Sequence, residues 1–143
     1  MKNVLGIAAV VAILIASQAT PSIAQSDAYV IVANKQLSGN SINKAELKGI
    51  YLRELLTWGN GGGEIVPVDL ANASGFYQKL FGKSSVQMQA YWLNMRIKYS
   101  VSLPVSKKDP EGVKQYIATN KGAIGFLKTS DLDDRVKVLK LLN

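Results

Sequence analysis

Cysteine and histidine are both missing from the 143 residues. Without cysteine there is no disulfide, no thiolate metal site, and no thiol to carry a lipid at a leader junction. Without histidine the commonest general base and metal ligand is gone. Serine–histidine and cysteine–histidine catalysis go with it. Acidic residues are few, 10 Asp and Glu against 17 Lys and Arg. Carboxylate catalysis needs two acids converging on one site. Asp131, Asp133 and Asp134 cluster, but before the last strand, where a solvated turn is the expected role. Asp69 ends a strand and reads as capping the following turn. No catalytic residue, cofactor or metal is expected, and an enzyme ranks last among the function classes. A serine–lysine pair is the one catalytic arrangement that composition leaves open.

Long apolar runs are also scarce. Beyond residue 24 none approaches the roughly 20 residues of a membrane span. Val4 to Ile15 is apolar, follows the single charge of Lys2, and leads to small residues at Ser22 and Ala24. This reads as a secretory signal cleaved after Ala24. A retained anchor is the rival, but Ser17, Gln18, Thr20 and Pro21 interrupt the stretch. Residues 1–24 are therefore taken as a leader and 25–143 as one exported domain with no stable membrane insertion. Losing Lys2 leaves a net charge of +6. A positive surface attracts anions, acidic polymers or anionic headgroups, although solubility alone accounts for a charge of this size. Nucleic acid is not expected, because no dense Lys/Arg tract occurs.

The elements can be read in order. Ala28 to Ala33 is a short β-branched run that suits a buried strand. Asn43 with Glu46 three residues on starts a helix over Lys44 to Leu52. Trp58 precedes a glycine-rich loop, Gly59 to Gly63, and Glu64 to Leu70 reads as a strand. Pro67 places that strand at an edge, or itself where no donor is needed. Ser74-Gly75 opens a helix ending at Gly82. Ser84 and Gln87 form a capping-box pattern for a longer helix to about Lys98. Ser100 to Lys108 is irregular around Pro104. Asp109-Pro110 starts a helix stopped by Asn120-Lys121-Gly122. Ala123 to Leu127 and Arg135 to Leu142 are strands. Strands alternating with helices predict an α/β fold, a mixed sheet flanked by helices.

Binding chemistry is better supported than catalysis. Ligands of open α/β sheets sit outside the carboxyl ends of strands, where a helix start offers free N–H groups and partial positive charge to an anion. Val68 through Gly75 has that arrangement. Ser74 can supply a hydroxyl, and Gly75 permits close backbone approach; the plain alternative is that Ser74 only caps its own helix. Arg96 is free to reach an anion bidentately, to pair with an acid, or to stay on the surface. The aromatics Phe76, Tyr77, Phe81, Tyr91 and Trp92 read as core. Gly59 to Gly63 is not a phosphate loop, since it precedes a strand and lacks the lysine spacing.

Several runs resemble a known family. Ala45 to Leu52 with Thr57-Trp58-Gly59, Ile65 to Asp69 leading to Ser74-Gly75 and Phe81, Asn120 to Phe126, and Tyr91-Trp92 are similar to segments of phosphate-binding proteins of ABC transporters, the type II periplasmic binding proteins. The likeness covers nearly all of 28–143. It implies a single lobe of that fold in the periplasm, with phosphate or a similar oxyanion at the Ser74-Gly75 helix start. Asn72 would help, Asn34 would border the crevice at the end of the first strand, and Arg96 would add charge. An ABC permease or another envelope protein would be the partner. The chain departs from the family where its threonine after Ser-Gly is Phe76, and where a glycine-containing loop reads Tyr99-Ser100-Val101-Ser102. Those departures suit a second reading, a ligand-free interaction module that docks an envelope protein through its crevice face.

Overall fold

The computed structural model describes residues 28–59 and 61–143. The leader and its cleavage point lie outside the described residues. The strands are β1 (Tyr29–Ala33), β2 (Ser41–Asn43), β3 (Val66–Leu70), β4 (Val105–Lys107), β5 (Ala123–Lys128) and β6 (Lys137–Leu142). The helices are α1 (Lys44–Tyr51), α2 (Ser74–Phe81), α3 (Ser85–Tyr99) and α4 (Pro110–Thr119). Each helix except α2 starts on the side chain its sequence offers. Asn43 accepts from Glu46 N at 2.7 Å, and Asp109 accepts from Gly112 N at 2.7 Å. Ser84 and Gln87 complete a reciprocal box before α3. Two short strands went unread in the sequence, β2 and β4. Three residues are too few to show a period of two.

The sheet order is β2-β6-β1-β5-β3-β4. β1 runs antiparallel to both its neighbours, while the other pairings are parallel. The carboxyl ends of five strands therefore share one edge of the sheet with the start of β1. β3 is interior, not an edge, and its proline costs it no ladder bond. Val66 N–H donates toward β5, to Gly122 O, so the next nitrogen, that of Pro67, faces the other side. There the pairing with β4 begins only at Val68.

Helices pack on both faces. Phe126 stacks on Phe76 with centroids 3.7 Å apart and meets Tyr51 and Tyr77. Its neighbour Gly125 points the opposite way, toward Ile117 and Val113 of α4. So α1 and α2 cover one face and α4 the other. A Cβ on Gly125 would come within 2.9 Å of Ile117 Cδ1 and 3.3 Å of Val68 Cβ. Gly122 is tighter still, since a Cβ there would lie 2.0 Å from Glu64 O. The two glycines of the Asn120–Phe126 run are thus required by close packing.

Candidate functional site

The carboxyl edge carries two adjoining hollows. The larger, about 540 Å³, is bounded by Asn72, Gly75, Lys79, Lys44, Lys128 and Tyr29, over a floor that includes Phe76 and Leu80. No acidic side chain is among the described residues that line it. The smaller, about 440 Å³, shares Tyr29, Asn72 and Lys128 and adds Lys108, Asp109 and Asp131. Both exist because β3 and β5 end here and the chain turns away into helices. Asn72 makes its turn with φ +60°, a left-handed conformation that asparagine tolerates better than most residues. Lys44 and Lys79 are exposed, so their charges reach the hollow through solvent-accessible space.

At this edge α2 begins without a side-chain cap. Its N-cap is Ala73, which makes no such bond. Ser74 does not cap its own helix; its hydroxyl donates to Ser85 Oγ at 3.1 Å and accepts from Ser85 N at 3.2 Å. It ties the starts of α2 and α3 together. Gly75 lines the larger hollow, with room for an added Cβ only 3.6 Å from the Tyr29 ring. Of the five residues picked from the sequence, the fold brings Asn72, Ser74 and Gly75 to one place.

Asn34 and Arg96 are elsewhere, which corrects their expected positions. β1 is antiparallel, so its carboxyl end, Asn34, lies at the opposite edge from that of β3. Asn34 is buried, donates to the carbonyls of Ile117 and Ala118 at 2.8 and 3.1 Å, and accepts from Gln36 N at 2.9 Å. It closes the end of α4. Arg96 is exposed on α3 and lines neither hollow.

Asp69 does not cap a turn either. It is buried beneath the edge and accepts from Tyr77 OH and, at 3.2 Å, from Ser106 Oγ. Burial raises its carboxyl above the ordinary value, and the two hydrogen bonds pull it part of the way back. The same burial pushes the Tyr77 and Tyr51 hydroxyls well up, so both stay protonated donors. Asp133 is no simple solvated turn residue. It pairs with Lys114 at 3.0 Å and Arg135 at 2.7 Å, and Glu111 joins the same two cations. These partners hold the Asp133 carboxyl well below the carboxylate range.

One polar residue had no sequence signal at all. Arg53 is buried just past α1 at φ +59°. Its Nε donates to Ser102 O at 2.9 Å and its Nη1 toward Ile65 O at 3.5 Å. Burial lowers its pKa, partly countered by the charge of Glu64. It brackets α1, β3 and the segment after α3. Only tertiary contact reveals such a role, since in the sequence it is one cation among many.

No family model matches the sequence. Solved structures match the fold. An ABC-type phosphate transport receptor from Vibrio cholerae superposes with a TM-score of 0.56 at 20% identity, over 80% of this chain and 46% of that one. A protein of Planctomyces limnophilus described as a possible phosphate binding protein gives 0.61 at 20%, over 82% and 42%. PstS from Borrelia burgdorferi gives 0.57 at 17%, over 80% and 47%. The chain therefore spans under half the length of these structures. Among the described residues, no helix is long and apolar enough to cross a membrane. Its fold, a six-stranded mixed sheet with helices on both faces, is that of one part of the phosphate-binding proteins of ABC transporters.

Proposed function

We propose that this chain is an exported, single-lobe binding protein that holds phosphate or a similar oxyanion at the carboxyl edge of its sheet. One observation carries the reading: Lys44, Lys79 and Lys128 converge on a hollow that has no acidic side chain among its described lining residues and that includes Gly75 of the uncapped α2 start. Cations and free helix N–H groups favour the same charge sign at the same place. The Ser74 hydroxyl is engaged by Ser85, so the contact falls to the backbone near Gly75, the Asn72 amide and the lysines. The likeness in fold to an ABC-type phosphate transport receptor supports the choice of ligand and the idea of delivery to a permease. A hollow open to water gives modest affinity that falls with added salt.

Isothermal calorimetry with inorganic phosphate, at low and at physiological salt, tests this. Binding in the millimolar range or tighter that weakens with salt is the expected result. Absence of heat at several millimolar phosphate in low salt would sink the reading. The alternative, a module docking a partner through its crevice face, gains no support from an edge rimmed by lysines. The most exposed large apolar side chains, Val86, Ile97 and Tyr99, lie elsewhere, on α3, although Leu141 of β6 is exposed and lines the hollow.

A further inference from the structure

α3 has two apolar faces. One is spent in the fold: Met88 and Trp92 are buried, and the Trp92 indole donates to Tyr51 O at 2.6 Å. The other is bare. Val86 is 74% exposed, Leu93 53% and Ile97 72%, and Ala90 between them is exposed as well. At about 100° per residue these four fall in a stripe roughly 60° wide, on the side of the helix away from Trp92. Their spacings of four, three and four residues are those of a helix–helix seam. A helix facing a core, or lying in a membrane surface, presents a broader sector of about 100° or more. Here Gln87 and Asn94 close the stripe on one side, and Gln89 and Arg96 on the other. The stripe is therefore shaped for one more helix.

We propose that this helix is α3 of a second copy of the chain, packed antiparallel. The stripe complements itself when reversed about a point between Tyr91 and Trp92. Val86 then faces the partner's Ile97, and Ala90 faces the partner's Leu93, small against large in both copies. On the flanks Arg96 falls beside the partner's Gln89, and Gln87 beside the partner's Asn94. A parallel pair would set Ala90 against its own copy and leave a gap. It would also gather Arg96 and Lys98 of both copies at one end, and α3 contains no acid to offset them. Reversal separates these charges and opposes the two helix dipoles.

The seam spans about 17 Å of helix, which places the interface at the small end, under about 1,200 Å² in total. Association should be reversible and concentration-dependent. None of the four stripe residues lines either hollow of the carboxyl edge, so the dimer would display two open edges. The inference does not depend on what those edges bind.

Sedimentation velocity of the purified protein across a concentration series tests the association. The expected result is a coefficient that rises toward a dimer, with Leu93→Glu staying monomeric at every concentration. Leu93 is already half-exposed, so the variant should keep the natural melting temperature, checked by circular dichroism. A natural protein that stays monomeric to about a millimolar overturns the proposal. So does a Leu93→Glu protein that dimerises as the natural one does. Register has its own readout, because the natural chain has no cysteine. Val86→Cys mixed with Ile97→Cys under mild oxidant should give mainly the mixed disulfide. Mainly Val86→Cys homodimers would mean a parallel pair, and would overturn the antiparallel assignment.

Discussion

The two edges of the sheet treat polar groups in opposite ways. At the carboxyl edge, Lys44 and Lys79 stand exposed around a hollow of about 540 Å³, and α2 starts without a side-chain cap. At the amino edge several polar side chains are taken up by the fold. Asn34 closes α4, the Trp58 indole donates to Gly122 O at 3.0 Å, and the Arg53 guanidinium is bound to carbonyls. The Lys137 ammonium holds the carbonyls of Leu37 and Gly39. A hollow of about 360 Å³ exists there too, lined by Trp58, Gly62, Ser41 and others, but among its described lining residues the one cation, Lys121, is matched by one acid, Glu46. A cavity alone does not indicate a ligand. On the proposal above, the edge that binds is the one where Lys44 and Lys79 stay exposed beside the uncapped α2 start.

If that contrast is right, damage at the amino edge should cost stability, and damage at the carboxyl edge should cost affinity. The largest effect is expected from Gly122→Ala, whose methyl would collide with Glu64 O. A backbone clash of this kind costs about 3 kcal/mol or more, read as a drop in chemical denaturation midpoint. Asn34→Ala comes next. It strips two carbonyls of their donor in a buried position, at a cost of about 2 kcal/mol, while phosphate affinity of the folded protein stays unchanged. A loss of affinity with full stability in that variant would restore Asn34 to the ligand site and break the comparison.

The reverse pattern is expected of Lys79→Glu. One reversed charge near a solvated anion is worth about 1 kcal/mol or somewhat more, a five- to tenfold loss of affinity by calorimetry, with the melting temperature nearly constant. An unchanged affinity would remove Lys79 from the site. The smallest effect belongs to Ser74→Ala, less than twofold in affinity. Its hydroxyl serves Ser85, and a tenfold loss would show that the hydroxyl turns to the ligand instead.

A pH series sharpens the comparison within the core of the carboxyl edge. The Asp69 carboxyl is raised above 3.8 in the folded state, so the folded protein holds that proton more tightly than the unfolded chain. Stability must then fall as pH rises from the ordinary carboxylate value through the raised one. Asp133 and Glu111 have the opposite sign. Their carboxyls are depressed, so their contribution is complete above the ordinary value and is lost as pH falls through the folded values. Asp69→Asn should abolish only the first trend. Melting temperatures of the two proteins from about pH 3 to 7 should diverge above pH 4 in favour of the variant. Parallel curves would mean that Asp69 titrates normally.

Much of the fold was legible because its signals are local. Caps at Asn43, Ser84 and Asp109 act over three residues, and all three formed as read. The strands over 28–33, 64–70 and 123–127 are apolar enough to declare themselves, and each appears within a residue or two of its expected span. The single-lobe α/β reading and the likeness to phosphate-binding proteins both hold at the level of fold. The candidate site was legible in part. Asn72, Ser74 and Gly75 are neighbours in the chain, so a strand-to-helix junction carried them together. Lys44, Lys79 and Lys128 are far apart in sequence, and nothing in their spacing joins them.

The chain's order of apolar, capping and glycine residues was enough to settle the four helices and the longer strands, though not the three-residue β2 and β4, because propensity, capping and periodicity need more than a few residues to show. It was also enough to exclude histidine and cysteine chemistry, because composition needs no coordinates. Strand direction was not accessible in that way. The antiparallel insertion of β1 between parallel neighbours sends Asn34 to the far edge, and that choice is made by pairing between residues 91 to 99 positions apart. The exposure of one face of α3 was equally hidden, since nothing in the sequence separates Val86, Leu93 and Ile97 from apolar residues that become buried.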